Sequence, residues 1–302
     1  MKLKPAIWQF GLLALLIFLG HNWLPPFGAF TRPDLQDALH APGFAAYTLA
    51  LLWVFRGARA RHTLVVVLAV TTAIVGEAAQ IGSPRDASML DFARDLLGIA
   101  AALSIDAYWR WRRSRAVGRR FAGAALAVVL TAATLSHLSW LAYLETAVRQ
   151  NAPALTDFGS LWTRGILHTI GDEGLEFDRR TAGNGLMTVR LTGSRYSGIR
   201  LTPLRDWRGY EQLEVSLAAD ASGPLSVVLR IIDENHDYRF DDRFNQTLSV
   251  DNSTVSLIVD LSDVVDAPRN RKLDAGHITD VAIFALQPRE GDKLIIGNLR
   301  LR

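Results

Sequence analysis

The spacing of apolar residues changes near residue 150. Before it they form long runs: Pro5–Leu24, Leu39–Phe55, His62–Ile81, Phe92–Tyr108 and Phe121–Leu144. A helix that crosses a bilayer needs about 20 such residues, so five spans are expected. The second and fourth reach that length only with flanking residues. Beyond residue 173 the period becomes two. Strands are expected near Leu175–Arg180, Leu186–Leu191, Gly198–Leu204, Gln212–Ala218, Leu225–Ile232, Val255–Leu261, Ile278–Ala285 and Leu294–Leu301. Leu213, Val215 and Leu217 alternate with Glu214 and Ser216. Turn residues, such as Gly183-Asn184-Gly185 and Ser222-Gly223-Pro224, separate the runs. Eight strands with no helix between them predict an antiparallel sandwich. The expected fold class is multidomain. A five-span α-helical transmembrane bundle covers residues 1–144, a connector residues 145–173, and an all-β sandwich residues 174–302.

Charge follows the same division. Up to Gln150 there are 15 Lys and Arg against 8 Asp and Glu, a net of +7; the remainder holds 18 and 22, a net of −4. The basic residues of the first half sit in loops. Lys2 and Lys4 precede the first span, Arg56, Arg59 and Arg61 follow the second, and Arg110 to Arg120 follow the fourth. Basic loops mark the cytoplasmic side, so the N-terminus is expected inside and the sandwich outside, with the lipid bilayer as a partner. No small-x-small cleavage site follows Gly20, so the first run is read as a retained helix. Short basic runs between apolar stretches argue against nucleic acid as a partner. The chain has no cysteine, which excludes disulfides, thiolate metal sites and a cysteine nucleophile.

Polar residues gather where the spans meet the outer face. His40 begins the second span, Glu77 and Gln80 end the third, Arg85 lies in the loop, and Asp91 and Asp95 begin the fourth. Glu77 and Gln80 share a helix face, as do Asp91 and Asp95. An ionisable group in a span normally finds a partner or lines a wet cavity. Arg85 is the expected countercharge for Glu77, Asp91 or both. This ordered set resembles the VanZ-like membrane family. Asp37 before His40, Glu77-Ala78-Ala79-Gln80, Pro84-Arg85, Asp91 and Gly98 carry the resemblance over about residues 10–110. Asp95 departs from it, since the family has Asn there. The resemblance implies a protein of the bacterial inner membrane and cell envelope; the family is named for a teicoplanin-resistance protein. Three uses of the cluster stand side by side. It is a closed salt-bridge network, a site for a phosphate or sugar headgroup, or a catalytic site with Glu77 or Asp91 as base and His40 as acid or base. The pyrophosphate of a lipid-linked precursor would suit Arg85. No metal site is expected, since His21, His40 and His137 share no helix at a four-residue spacing.

In the second half, Asp206-Trp207, Tyr210, the run Leu229 to Asp233, Tyr238, Asp242-Arg243-Phe244, Asp280 and Gly297-Asn298-Leu299 resemble the galactose-binding-like jelly roll of carbohydrate-binding modules. The segment from Asp233 to Arg243 is the most polar. Asp233, Asn235, Asp237 and Arg243 would meet sugar hydroxyls, and Tyr238 or Phe240 would offer a stacking face. The D-x-N-x-D spacing is that of the start of a calcium loop, but the following Gly and distal Glu of an EF-hand are missing. The alternative is a solvated hairpin whose Arg and Asp pair across the turn. Trp207 and Tyr210 are read as core or edge packing, or as a ligand platform. No nucleophile elbow or phosphate-binding glycine loop occurs. The expectation is thus a non-enzymatic protein whose sandwich binds an envelope glycan or partner protein, with the bundle as anchor or sensor. The rival is a membrane enzyme or carrier that acts on a lipid-linked precursor at the outer-face cluster and alters glycopeptide susceptibility.

Overall fold

The computed structural model describes residues 32–80, 88–112, 116–171, 177–178 and 186–302. The chain divides into two compact units, one ending at Ala142 and the other beginning at Tyr143. The first holds α1 (Arg32–Val54), α2 (Arg61–Gln80), α3 (Met89–Trp111) and most of α4 (Val117–Asn151). Ser88 caps α3, its hydroxyl accepting the Asp91 N–H at 3.3 Å. Asp91 in the first turn also meets the positive end of the helix dipole. Helices α1 and α3 approach closely at a small residue: a Cβ on Gly98 would lie 2.1 Å from the Ala41 carbonyl oxygen. Tyr47 and Leu51 of α1, Val65 and Ala69 of α2 and Ile99 of α3 pack into one apolar cluster. Around it the usual order is reversed. Thr48, Asp95 and Ser104 are buried, whereas Val75 and Phe121 are 59% and 71% exposed.

The second to fifth expected spans fall on α1 to α4; the first lies outside the described residues. Among the described residues only two helices are long and apolar enough to cross a membrane, α2 over Arg61–Ala78 and α4. Composition explains why α1 and α3 fall short of the five-span expectation. Asp34 and Asp37 lie in α1, and Asp91, Arg94, Asp95, Asp106 and Arg110 lie in α3. They dilute apolar runs that are already short.

The second unit is a sandwich of two antiparallel sheets. Its strands are β1 (Ala154–Thr156), β2 (Leu167–Ile170), β3 (Phe177–Asp178), β4 (Met187–Arg190), β5 (Tyr196–Leu201), β6 (Gln212–Asp220), β7 (Leu225–Asp233), β8 (Phe244–Val250), β9 (Val255–Asp260), β10 (Ile278–Leu286) and β11 (Lys293–Leu301). Short helices α5 (Leu161–Ile166) and α6 (Leu261–Asp266) precede β2 and follow β9. One sheet runs β3-β4-β11-β6-β9, with β1 also on β11; the other runs β2-β5-β10-β7-β8. The period-two pattern builds the core. Leu213, Val215 and Leu217 of β6, Leu229 and Ile231 of β7 and Val281 and Ile283 of β10 are all buried. Strands β1 and β2 come from the expected connector, and β8 from a stretch with no expected strand. In β8, Phe244, Gln246, Leu248 and Val250 take one face, and the polar Gln246 breaks the apolar alternation.

Candidate functional site

The acidic residues of the helical unit separate into three groups. His40 Nδ1 lies 2.8 Å from Asp95 Oδ1, and the Ser88 N–H donates to Glu77 Oε2 at 2.8 Å, so Glu77 of α2 fixes the start of α3. Ligand atoms of His40, Glu77 and Asp95 all lie within 4.8 Å of one another. One imidazole and two carboxylates form a donor set that suits a divalent cation. Asp91 turns instead to Arg94, whose Nη1 is 2.5 Å away and also 3.6 Å from Asp37. Arg94, three residues after Asp91 on the same helix face, is the cation that sequence reasoning missed; the i, i+3 spacing was its signal. Arg85 and the Gln80 side chain lie outside the described residues. At the other end of α3, Asp106 accepts from Arg61 at 2.8 Å and from Arg110, four residues on, at 3.0 Å.

The polar segment after β7 is held together largely by one arginine. Asp233 is fully buried, and Arg271 Nη1 and Nη2 donate to its oxygens at 2.5 and 2.7 Å, while the Asp274 N–H donates at 2.7 Å. The same guanidinium donates to Asp242 through Nε at 2.5 Å and Nη2 at 3.0 Å. These bonds hold the Asp242 carboxyl well below the usual carboxylate range. Asp233 is therefore an internal ion-pair partner. His236, Asp237 and Asp242 could also ligate a cation, but Arg271 already supplies positive charge to Asp242. Asn235, Asp237, Arg239 and Asp241 line a shallow depression of about 260 Å³. Tyr238 is 92% exposed, at a left-handed φ of 69°. Trp207 is core: its side chain is buried and its Nε1–H donates to the Leu204 carbonyl at 2.6 Å.

Sequence reasoning missed the outer face of the β2-β5-β10-β7-β8 sheet. Register places Arg200, Ala282, Arg230 and Asn245 in one row across β5, β10, β7 and β8. Gly198, Phe284, Val228 and Thr247 form the next row. Val228, Ala282 and Phe284 are a buried apolar cluster distinct from the interior, with Ile170 and Leu286 packed against it. Tyr196 meets Phe284 edge-on, ring centroids 5.7 Å apart. Phe284 fits because Gly198 has no side chain: a Cβ there would lie 2.7 Å from the Phe284 Cβ. Arg230 stands over the Phe284 ring at 5.8 Å and donates to Asp280 at 3.1 Å. Arg195 covers Tyr196 at 5.2 Å. Arg243, the one expected binding residue that reaches this face, stands over Phe240 at 5.1 Å. Burial and the nearby Arg230 charge weaken its hold on its proton. The arrangement offers an aromatic surface, guanidinium donors and one carboxylate acceptor. The signal lay in the outward positions of β5 and β10, which carry Tyr196, Arg200, Asp280 and Phe284 instead of Ser, Thr or Lys.

No protein-family model and no curated protein matches the chain. Solved structures similar to it include the family 11 carbohydrate-binding module from Clostridium thermocellum in complex with a β-1,3-1,4-mixed-linked tetrasaccharide. That likeness has 15% identity and a TM-score of 0.38, and covers 49% of this chain and 94% of that one. An exo-β-agarase is similar at 13% identity and a TM-score of 0.36, over 50% of this chain and 25% of the agarase. A family 29 carbohydrate-binding module is similar at 14% identity and a TM-score of 0.29, over 44% of this chain and 75% of that one.

Proposed function

We propose that this is a membrane-anchored glycan-binding protein whose sandwich holds a saccharide on the outer face of the β2-β5-β10-β7-β8 sheet. The observation that carries the proposal is the Tyr196–Phe284 aromatic pair set among Arg200, Arg230 and Asp280. A sugar ring has an apolar C–H face and an equatorial rim of hydroxyls. The half-exposed Tyr196 ring buries the first, and the guanidinium and carboxylate groups bond the second. The helical unit anchors the sandwich in the inner membrane, with the N-terminus cytoplasmic and the sandwich extracytoplasmic. Supporting that anchor are the outward apolar side chains of α2 and α4 and the alternation of basic loops. The test is affinity of the intact protein, in lipid nanodiscs, for soluble polysaccharides before and after Tyr196→Ala. The substitution should weaken binding about tenfold or more, equivalent to about 1.4 kcal/mol. Equal affinity would remove the sheet face from the site.

A second reading is favoured by the convergence of His40, Glu77 and Asp95. In it the helical unit acts on a lipid-linked envelope precursor. Glu77→Gln discriminates: an enzyme or carrier loses turnover while glycan binding by the sandwich survives, and an anchor shows only a change in stability.

A further inference from the structure

We infer that the sheet face selects an anionic saccharide, with Arg230 and Arg243 receiving a sugar-borne oxyanion beside the Tyr196–Phe284 pair. The inference rests on the glycan-binding reading above and narrows it to a ligand class. It starts from charge. Residues 151–302 are net acidic, with 18 Lys and Arg against 22 Asp and Glu. The strands of this face nevertheless carry Arg200 and Arg230, with Arg243 immediately before β8, against the single carboxylate Asp280. Asp280 is already engaged by Arg230 at 3.1 Å and lies 4.0 Å from Arg200. Arg243 forms no ion pair among the described residues.

The two arginines are neighbours in space. Arg230 pairs with Asn245 across β7 and β8, and Arg243, in the bend just before β8, lies close enough to Arg230 for the two charges to interact. The Nε–H groups of both arginines are buried and donate to no acceptor among the described residues. A buried donor without an acceptor is costly, and two adjacent guanidinium charges repel. An oxyanion between them removes both penalties at once: it accepts from the unused N–H groups and neutralises the pair. A neutral sugar supplies hydroxyl acceptors but no charge. A carboxylate, sulfate or phosphate on a ring stacked at Tyr196 supplies both.

The experiment is a titration of the intact protein in nanodiscs of zwitterionic lipid with three soluble polymers. These are polygalacturonate for a carboxylate, dextran sulfate for a sulfate, and unmodified dextran. At least one anionic polymer should bind tenfold or more tightly than dextran. The ranking of the two tells which oxyanion fits. Arg243→Ala should lower that affinity about tenfold, and Arg243→Lys should restore part of it. Arg239→Ala, which removes an exposed cation of the neighbouring loop, is the control and should change affinity less than twofold. If Arg239→Ala weakens binding as much as Arg243→Ala, the attraction is general and the inference fails. If dextran binds as tightly as the anionic polymers and Arg243→Ala has no effect, the anionic selection fails and glycan binding stands. If no polymer binds and circular dichroism shows a folded sandwich, the inference fails together with the reading beneath it for these polymers.

Discussion

The helical unit and the sandwich place charge by opposite rules. In the sandwich, the period-two pattern buries Leu213, Val215, Leu229 and Ile283, and charge goes outward or into closed pairs such as Arg271–Asp233. In the helical unit, Val67, Val75, Phe121 and Val128 face outward, while Asp91 and Asp95 face in. On the membrane-anchored reading proposed above, the difference follows from what each surface meets. A sheet in water sheds its apolar side chains inward; a helix in lipid has no reason to, and packs instead through small residues and polar contacts. The close approach at Gly98 and the His40–Asp95 contact are of that second kind.

The contrast can be broken most forcefully at Arg271. Its removal strands Asp233, whose side chain is wholly buried. Losing one partner of such a pair costs about 3–5 kcal/mol. Arg271→Ala should therefore lower protection of β7 and β10 in hydrogen exchange by that amount, and adding Asp233→Asn should recover part of it. Unchanged exchange would show that the pair carries no stability. Gly198→Ala should be next. Its Cβ would lie 2.3 Å from the Ile283 carbonyl oxygen and 2.5 Å from the Phe284 Cα, both backbone atoms that cannot swing aside. Overpacking of this kind costs about 1–3 kcal/mol. Thermal unfolding of the sandwich measures it, and a neutral result would mean that β5 and β10 can separate freely.

A smaller effect concerns acid. Arg271 depresses the pKa of Asp242 in the folded chain. The stability this contributes is present above the unfolded carboxylate value of about 4 and is lost as pH falls through the lower folded value. Unfolding curves should show no loss of this contribution between pH 7 and 5. Below pH 4, Asp242→Asn should flatten the decline. A decline attributable to Asp242 already near neutral pH would contradict the sign. The smallest expected effect is that of Tyr238→Ala: an exposed loop side chain whose removal should change stability by less than about 0.5 kcal/mol and leave glycan affinity unchanged.

Much of the architecture was legible because period carries it. The alternation in β6 and the apolar runs of α2 and α4 predict their elements directly. Strands β1, β2 and β8 were hidden because short or polar-rich strands are made by their neighbours, as β1 and β2 are by β11 and β5. The candidate sites were harder to read. Asp233 and Arg271 are 38 residues apart, so no spacing rule joins them. Polarity alone drew attention to the loop, where much of that polarity is spent on the loop's own ion pairs. The sheet face was missed because its residues come from separate strands, one outward position at a time; only register assembles Tyr196, Phe284 and Arg230 into one surface.

The most direct test of the central claim uses the two tyrosines as reporters. Tyr196 on the sheet face is 42% exposed and Tyr238 in the loop is 92% exposed, so both react with hydroxyl radicals in the free protein. Footprinting of the intact protein in nanodiscs, with and without saturating polygalacturonate, reads their accessibility separately. Binding on the sheet face predicts a severalfold drop in Tyr196 oxidation with Tyr238 unchanged. Protection of Tyr238 with Tyr196 still open would contradict the account and return the site to the loop.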